Sequence, residues 1–191
     1  MKKQFLIIWW FVFSSTFLFA QEKEWQKLTD LLQNEASYFS GKSGFIKVID
    51  SEYSTFKITE FSINETTFVS GMMLYDRFKP SFSERYLRET VEIAAAFEIQ
   101  SAKIFYDCPF YFEDFPKSQF LLIEFDEPQL HQILSVYKDL NTQQEETQTA
   151  EETTTQLLIP IQSANRAAIF DAIDQYQIAT KKEQLTTEQD Y

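Results

Sequence analysis

The sequence predicts an α+β fold: an antiparallel β-meander or roll of about six or seven strands, preceded by one helix and followed by two. Near both ends of the chain, apolar residues recur at spacings of three and four, which is the period of an amphipathic helix. Between these ends, the apolar runs are rich in β-branched and aromatic residues and are broken at turn-like positions, which is typical of antiparallel strands.

The first 20 residues, MKKQFLIIWWFVFSSTFLFA, have the pattern of a cleavable secretory signal peptide. Lys2 and Lys3 form the positive start, Phe5–Phe13 is an uninterrupted apolar run, and the small Ala20 suits the cleavage position. A membrane-spanning helix needs about 20 apolar residues, whereas this run is shorter and ends in polar residues. We therefore expect export to the periplasm or the medium, with no integral membrane span after cleavage.

The chain from residue 21 onward is long enough to bury a core and predicts one domain over residues 21–180, with a polar tail at 181–191. Without Lys2 and Lys3, 15 basic residues remain beside 29 acidic residues, so the formal charge of the processed chain is −14. Such a charge repels nucleic acid and anionic lipid headgroups, and we expect neither as a partner.

An amphipathic helix is predicted from Gln21 to Ser40. Its apolar stripe consists of Trp25, Leu28, Leu32, Ala36 and Phe39. Gly41 follows at the position where a helix end favours a residue that tolerates positive φ. We expect Trp25 to be a packing anchor of this helix.

Strands with turn-like breaks between them are predicted next, at Phe45–Ile49, Tyr53–Ile63 and Thr67–Tyr75. The polar segment Arg77–Arg88 is predicted to be a loop. The segment Leu87–Ile99 fits two structures, because its alternation favours a strand while its alanine run also fits a helical face. We favour a strand through Ile93 and leave the alanine run open.

The stretch Ile104–Phe125 is densely aromatic. Two apolar runs, Ile104–Tyr106 and Phe120–Phe125, predict a pair of strands, and the prolines at 109 and 116 exclude the segment between them from a central sheet position. The rings of that segment either fill the core or are presented to a ligand or partner. The candidate binding residues are Phe110, Tyr111, Phe112 and Phe115.

An irregular segment cannot turn all of these rings toward one core, so we expect Tyr111 or Phe115 to lie at the surface. Glu113 and Asp114 are their neighbours in the sequence. The combination predicts an aromatic patch with an acidic rim, which suits a partner surface that carries Lys or Arg.

The next segment has the clearest helical spacing in the chain. A helix is predicted from Asp126 to Leu140, with Asp126 as its cap, Pro128 in its first turn, and an apolar stripe of Leu130, Ile133, Leu134, Tyr137 and Leu140. His131 points away from this stripe, and we expect it to be a solvated surface residue.

Residues 141–155, NTQQEETQTAEETTT, contain one alanine and no larger apolar residue, which predicts a disordered loop. The apolar run Gln156–Ile161 predicts a short strand, and Pro160 favours a sheet edge for it. A last amphipathic helix is predicted from Ser163 to about Ala179.

A meander of strands closed by a C-terminal helix is similar in architecture to small rolled or barrel-like β domains, including the pleckstrin-homology-like type. This likeness concerns the order of the elements alone. It implies a fold, and architecture does not fix function.

The candidates for catalytic chemistry are few, because the chain has one histidine and one cysteine. A serine triad or a cysteine dyad needs a histidine base, and His131 is predicted on an exposed helix face. Cys108 follows Asp107, and a negative neighbour disfavours a thiolate. With three glycines after residue 20, no glycine-rich phosphate loop is present in the sequence.

Paired carboxylates are the remaining candidates for hydrolysis, from the set Glu113, Asp114, Glu124 and Asp126. No spacing distinguishes one pair among them. A calcium site at Glu124, Asp126 or Glu127 does not match the spaced-acid loop with its glycine. We expect no metal and no cofactor.

The sequence favours an exported, non-enzymatic domain that binds a protein or a small apolar ligand, or that has a structural role in the cell envelope. The alternative is a carboxylate-dependent hydrolase that acts in the periplasm or outside the cell. A deep pocket with two converging, partly buried acids would favour the hydrolase, and a shallow aromatic or apolar groove would favour binding.

The predicted signal peptide gives a first test. Protein recovered from the envelope or the medium should have the intact mass of a chain that starts at Gln21, measured by mass spectrometry. Recovery of the full-length chain in the membrane fraction would show that residues 1–20 act as an anchor instead.

Overall fold

The computed structural model describes the backbone of residues 3–47, 53–76, 83–94, 97–106, 110–112 and 119–188, and the side chains of residues 21–46, 55–75, 83–94, 97–106, 110–112 and 119–181. In these ranges the chain forms an N-terminal helix, a curled antiparallel sheet of eight strands and a C-terminal helix. The fold is therefore a mixed α+β fold in which strands predominate.

The elements follow one another in the order α1 (Lys3–Phe39), β1 (Ser43–Lys47), β2 (Tyr53–Ile63), β3 (Thr67–Asp76), β4 (Ser83–Glu92), β5 (Ile99–Phe105), β6 (Phe110–Phe112), β7 (Gln119–Asp139), β8 (Glu145–Ile161) and α2 (Arg166–Glu188). The strand order is β5-β7-β4-β3-β2-β1-β6, and β8 pairs with β7. Because β8 follows β7 along nearly its whole length, β5 and β4 share the opposite edge of β7.

The two helices pack on one side of the sheet, and α1 does so through the stripe that the sequence predicts. All five residues of the α1 stripe are buried, and so are Ile169, Ile173 and Tyr176 of α2. Trp25 is a packing anchor as expected: its ring lies 4.7 Å from the ring of Phe97, edge to face, and its Nε1 donates to the Glu65 carbonyl at 2.9 Å.

Within the described residues, no helix is long and apolar enough to cross a membrane.

A buried carboxylate connects the two helices. Glu35 of α1 is 1% exposed and accepts hydrogen bonds from the backbone N–H of Gln162, at 2.7 Å, and from the side-chain amide of Asn165. Both donors lie just before α2, so this carboxylate fixes the entry of the chain into that helix. On α2, Tyr176 donates to the Phe97 carbonyl at 2.8 Å, and burial raises the pKa of the Tyr176 phenol.

Two glycines are needed where the chain turns or where strands approach closely. Gly41 has a φ of 79° at the end of α1, which confirms the predicted cap. At Gly44, a Cβ would collide with the carbonyl oxygen of Tyr111 and with the ring of Phe56. The absence of a side chain at Gly44 therefore lets β6 pair with β1 at the sheet edge.

The predicted helix over Asp126–Leu140 is wrong, because this segment is the second half of β7. Residues 130–139 pair with β4 on one edge, and residues 129–138 pair with β8 on the other. The apolar spacing of Ile133, Leu134 and Tyr137 also suits a strand that is partly covered on both faces. Pairing on two edges satisfies every ladder position, and this tertiary context overrides the helical period.

The predicted disorder of residues 141–155 is also wrong. A short turn at Leu140–Gln144, with Gln143 at a φ of 60°, leads directly into β8. The side chains of residues 145–153 are exposed, as their composition suggests, but their backbone is paired with β7 residue by residue. Hydrogen bonds to a neighbouring strand, together with three β-branched threonines at 153–155, order a segment that buries little apolar surface.

Three smaller boundaries also differ from expectation. Residues 83–88 of the predicted loop Arg77–Arg88 belong to β4, and residues 77–82 lie outside the described residues. The strand favoured through Ile93 ends at Glu92, which confirms it to within one residue, while Ala95 and Ala96 lie outside the description. The predicted polar tail is helical to Glu188, because α2 continues past Ala179 without a residue that breaks a helix.

The strand β7 bends where its neighbour on one edge changes from β5 to β4. Between the pairs Glu124↔Gln156 and Gln129↔Thr154, β7 advances five residues while β8 advances two. Gln129 is buried at this bend, where its Oε1 accepts from the Ala94 N–H at 2.8 Å and its Nε2 donates to the Glu127 carbonyl at 2.8 Å. One side chain thus bonds two backbone groups at the bend, one in β7 and one just beyond the end of β4.

Truncation of this side chain tests its role. Gln129→Ala removes two part-buried hydrogen bonds, to the Ala94 N–H and the Glu127 carbonyl, and two such bonds together contribute about 1–3 kcal/mol. We expect a loss of that size in the free energy of unfolding, measured by urea denaturation. Gln132→Ala, at an exposed position of the same strand, is the matched control and should change stability by less than about 0.5 kcal/mol. Equal effects of the two changes would show that Gln129 does not hold the bend.

Candidate functional site

An open groove of about 330 Å³ lies beside the sole histidine of the chain, and we call it the His131 groove. Four strands and the end of a fifth supply its lining. Its apolar residues are Phe68, Val91, Phe105, Leu122, Leu157 and Leu158, and its polar residues are Ser70, Glu89, His131, Thr154 and Gln156.

Cross-strand pairing places the histidine in this groove. Phe68 pairs with Val91, Val91 pairs with His131, and His131 pairs with Glu152, so the four residues form one row across β3, β4, β7 and β8. Paired residues in an antiparallel sheet lie on the same face. The row therefore runs from an apolar end at Phe68 to an acidic end at Glu152.

The bend in β7 brings the two halves of the groove together. Leu122 and His131 are nine residues apart, and an odd separation puts two residues on opposite faces of a regular strand. Their partners on β8, Leu158 and Glu152, are six residues apart and share a face. At the bend, β7 has three more residues than β8. This odd number of extra residues brings Leu122 and His131 to the same face of the sheet, and both line the groove.

His131 is not the solvated surface residue that the sequence predicts. Its side chain is 13% exposed, and both of its ring nitrogens are buried without a hydrogen bond. Two carboxylate oxygens lie close to the ring: that of Glu152 is 3.3 Å from Nδ1, and that of Glu89 is 3.9 Å from Nε2. The shorter contact lacks the alignment of a hydrogen bond. Because His131 lies on a strand between two others, its ring is held in the groove instead of in solvent.

The charged side chains that flank His131 are all acidic. Two carboxylates flank the ring, and the residues that line the groove include no Lys or Arg. The remaining polar lining consists of hydroxyl and amide groups, which donate and accept hydrogen bonds. Such a groove favours a neutral or cationic guest over an anion.

The acids that the sequence proposes for hydrolysis have structural roles where they are described. Glu124 accepts from the Ser101 hydroxyl and from Gln156 Nε2 at 3.1 Å and pairs with Lys103 at 3.5 Å. The Ser101 hydrogen bond, followed by the charge of Lys103, lowers the pKa of Glu124. A lowered pKa is the opposite of what a general acid needs.

Asp126 supports the bend and forms no pair with another carboxylate that the described contacts show. Its Oδ1 accepts from the Glu98 N–H at 2.7 Å, and its own N–H donates to the Glu98 carbonyl at 3.1 Å. Glu113 and Asp114 lie outside the described residues, as does Cys108. Among the residues that are described, no cluster of three or more His, Cys, Asp or Glu side chains is arranged to hold a metal.

The aromatic candidates are divided between the core and the surface. Phe112 is buried against Phe39, Phe56 and Phe120, and Phe110 is half-buried. Tyr111 points the other way, is 44% exposed, and stacks on the ring of Phe45 at 5.2 Å. Its surface position agrees with the expectation for this ring, and its role in binding stays a prediction. Phe115 lies outside the described residues.

Sequence reasoning missed the His131 groove because it assigned residues 126–155 to a helix and a loop. The groove depends on a register between β7 and β8 that a local pattern does not contain. One local signal was present: the threonine-rich run at 153–155 has the β-branched side chains that strands favour. If this run had been assigned to a strand, residues 129–139 would have been a candidate for the strand that pairs with it.

Compared with known proteins, the chain matches no family model, no curated protein and no solved structure. No relative therefore supplies an activity or a ligand for the groove. The inferences that follow are drawn from the geometry and chemistry of this chain.

Proposed function

We propose that this protein is an exported, non-enzymatic binding domain and that the His131 groove binds a small ligand with an apolar body and an amine or another N–H donor. One observation carries the proposal: two buried ring nitrogens without hydrogen bonds stand in a groove that is otherwise largely apolar. Buried polar atoms in proteins nearly always have partners. The flanking side chains of Glu89 and Glu152 are partly exposed, and a ligand that displaces either of them from the ring would provide one.

The size and lining of the groove support a small ligand. Its volume of about 330 Å³ is at the lower end of the range for small-molecule sites, which runs from about 300 to 1,000 Å³. Such sites combine apolar walls with a few polar groups that fix orientation. Here Leu122 and Leu158 contribute to the wall, and the groups around His131 form the polar end.

The chemistry of the polar end supports a hydrogen-bond donor. Ionised carboxylates only accept hydrogen bonds, and a neutral imidazole has one accepting nitrogen. Glu89, Glu152 and His131 together therefore offer more acceptors than donors. An ammonium group would match both the hydrogen-bonding surplus and the negative charge.

The geometry favours binding over hydrolysis. The side chains of Glu89 and Glu152 are 38% and 58% exposed, so they are not a converging, buried pair of acids. Ser70 lines the groove, but its strand is separated from that of His131 by β4. Two strand spacings amount to about 10 Å, which is too far for a nucleophile and its base.

Export is part of the proposal and rests on the first 20 residues of the sequence. Cleavage before Gln21 would leave the buried stripe of α1 intact, because that stripe begins at Trp25. The curled sheet followed by a C-terminal helix is in keeping with the pleckstrin-homology-like arrangement suggested by element order. Because architecture alone does not fix function, the proposal depends on the groove.

Titration with N-phenyl-1-naphthylamine, a neutral fluorescent probe that has an apolar body and one N–H, tests the groove. We expect saturable binding, and we expect decylamine to displace the probe at a concentration about tenfold lower than decanoate, because the flanking charge is negative. Probe fluorescence is the measurement, and thermal unfolding checks that each variant is folded.

Two tryptophan variants locate the binding. Leu158→Trp places a larger side chain in the groove and should abolish probe binding, whereas Thr147→Trp, at an exposed position of the same strand, should leave it unchanged. If a folded Leu158→Trp protein binds the probe as the unmodified chain does, the proposal is refuted. Equal displacement of the probe by decylamine and by decanoate would contradict the proposed class of ligand.

A further inference from the structure

The first part of β8, residues 145–156, is an open sheet edge, and we call it the β8 edge. Among the described strands, β8 pairs with β7 alone. Every side chain from Glu145 to Thr153 is exposed, so none of the segments that the structure describes covers this stretch. Alternate residues of an edge strand direct their backbone N–H and C=O groups away from the sheet, where they can pair with another strand.

This edge has one of the devices that prevent pairing, charge, and lacks the others. Natural edges are short, or carry charged residues or proline, or are interrupted by bulges. Residues 145–156 contain no Lys, Arg or Pro, and the proline of β8 lies farther on, at Pro160. The only charged residues of the edge are glutamates.

The glutamates have a regular arrangement. They stand in two adjacent pairs, Glu145 with Glu146 and Glu151 with Glu152. Because side chains alternate along a strand, Glu145 and Glu151 share one face, and Glu146 and Glu152 share the other. Each glutamate of the first pair lies six positions before its counterpart in the second pair, which is about 20 Å along a strand. The edge thus presents two negative points on each face, at a fixed distance.

This pattern disfavours a second copy of the chain as the occupant. Pairing of two such edges would place carboxylates among carboxylates, and like charges on adjacent strands are destabilising. The chain as a whole also carries a formal charge of −12, which adds a long-range repulsion. The complementary strand must instead carry positive charge.

We propose that the β8 edge binds an extended segment of a partner protein by strand addition, and that this segment carries two pairs of basic residues separated by four uncharged, β-forming residues. The backbone ladder would supply the affinity, and the two glutamate pairs would set the register and select the charge of the partner. This site differs from the ligand groove, although Thr154 and Gln156 also line the groove and Glu152 flanks its histidine.

A peptide tests the proposal directly. Acetylated and amidated Lys-Lys-Thr-Val-Thr-Val-Lys-Lys, with a fluorescent label on an added linker, matches the edge position by position. Fluorescence anisotropy with the full chain should show saturable binding that weakens as salt is raised. The same peptide with glutamate in place of every lysine should not bind.

Backbone methylation separates strand addition from general charge attraction, and it needs no change in the protein. A peptide uses only one of its edges in a ladder, and the charge register fixes which one. N-methylation of the two threonines and N-methylation of the two valines block opposite edges. We expect one of these peptides to lose binding and the other to keep it. Equal binding by both, or loss in both, would overturn the proposal.

Charge reversal in the protein gives the second test. The double change Glu146→Lys with Glu151→Lys removes one glutamate from each pair and should weaken peptide binding about tenfold at low salt. The matched control, Glu22→Lys with Asp171→Lys, makes the same change in net charge at exposed helical positions. Equal weakening by both would mean bulk electrostatics and would refute the site.

Two further measurements assign the result. A Leu158→Trp protein, in which the groove is filled, should still bind the peptide, so that failure at the groove and failure at the edge are distinguishable. Sedimentation of the unmodified chain should show a monomer. A dimer that the double charge reversal alters would assign the edge to a second copy and contradict the proposal.

Discussion

The side chain of Gln129 holds the point on which the sheet depends. At this point β7 loses β5 as a neighbour and gains β4, while β8 continues along its other edge. A strand that changes neighbours must leave some backbone groups out of the ladder, and such groups need other partners. With one amide, Gln129 bonds two part-buried backbone groups at this point, the Ala94 N–H and the Glu127 carbonyl.

The bend has consequences for both surfaces to which we assign binding. Three extra residues in β7 shift its alternation by an odd number, so the apolar wall near Leu122 and the polar end at His131 lie in one groove. On both sides of the same bend, β8 pairs with β7. Its first half is thereby held at the sheet edge with its glutamates exposed.

The parts of the fold that were predictable from the sequence are those specified by local periodicity. The stripe of α1 from Trp25 to Phe39, the strands β1 to β3 and the cap at Gly41 each follow from spacing or from a single residue's conformational freedom. α2 followed from its stripe as well. In each case the local signal and the tertiary environment agree.

The segment from residue 126 to residue 155 was not predictable in the same way. Ile133, Leu134 and Tyr137 fit a helical stripe by spacing, but the strand is selected by partners that are distant in sequence. The composition of residues 145–153 correctly indicates exposure and says nothing about backbone pairing. The assignment of this segment to a helix and a loop also made the environment of His131 unpredictable, because the acids that flank it, Glu89 and Glu152, come from two other strands.

Nuclear magnetic resonance of residues 129–154 shows directly whether β7 and β8 form this ladder. Pairing of the two strands predicts strand-type Cα chemical shifts on both sides of the turn, together with α-proton contacts at alternate pairs of the ladder that joins residues 129–138 to residues 145–154. Helical shifts over residues 130–139 with random-coil shifts over residues 145–155 would contradict it, and with it both the groove and the edge.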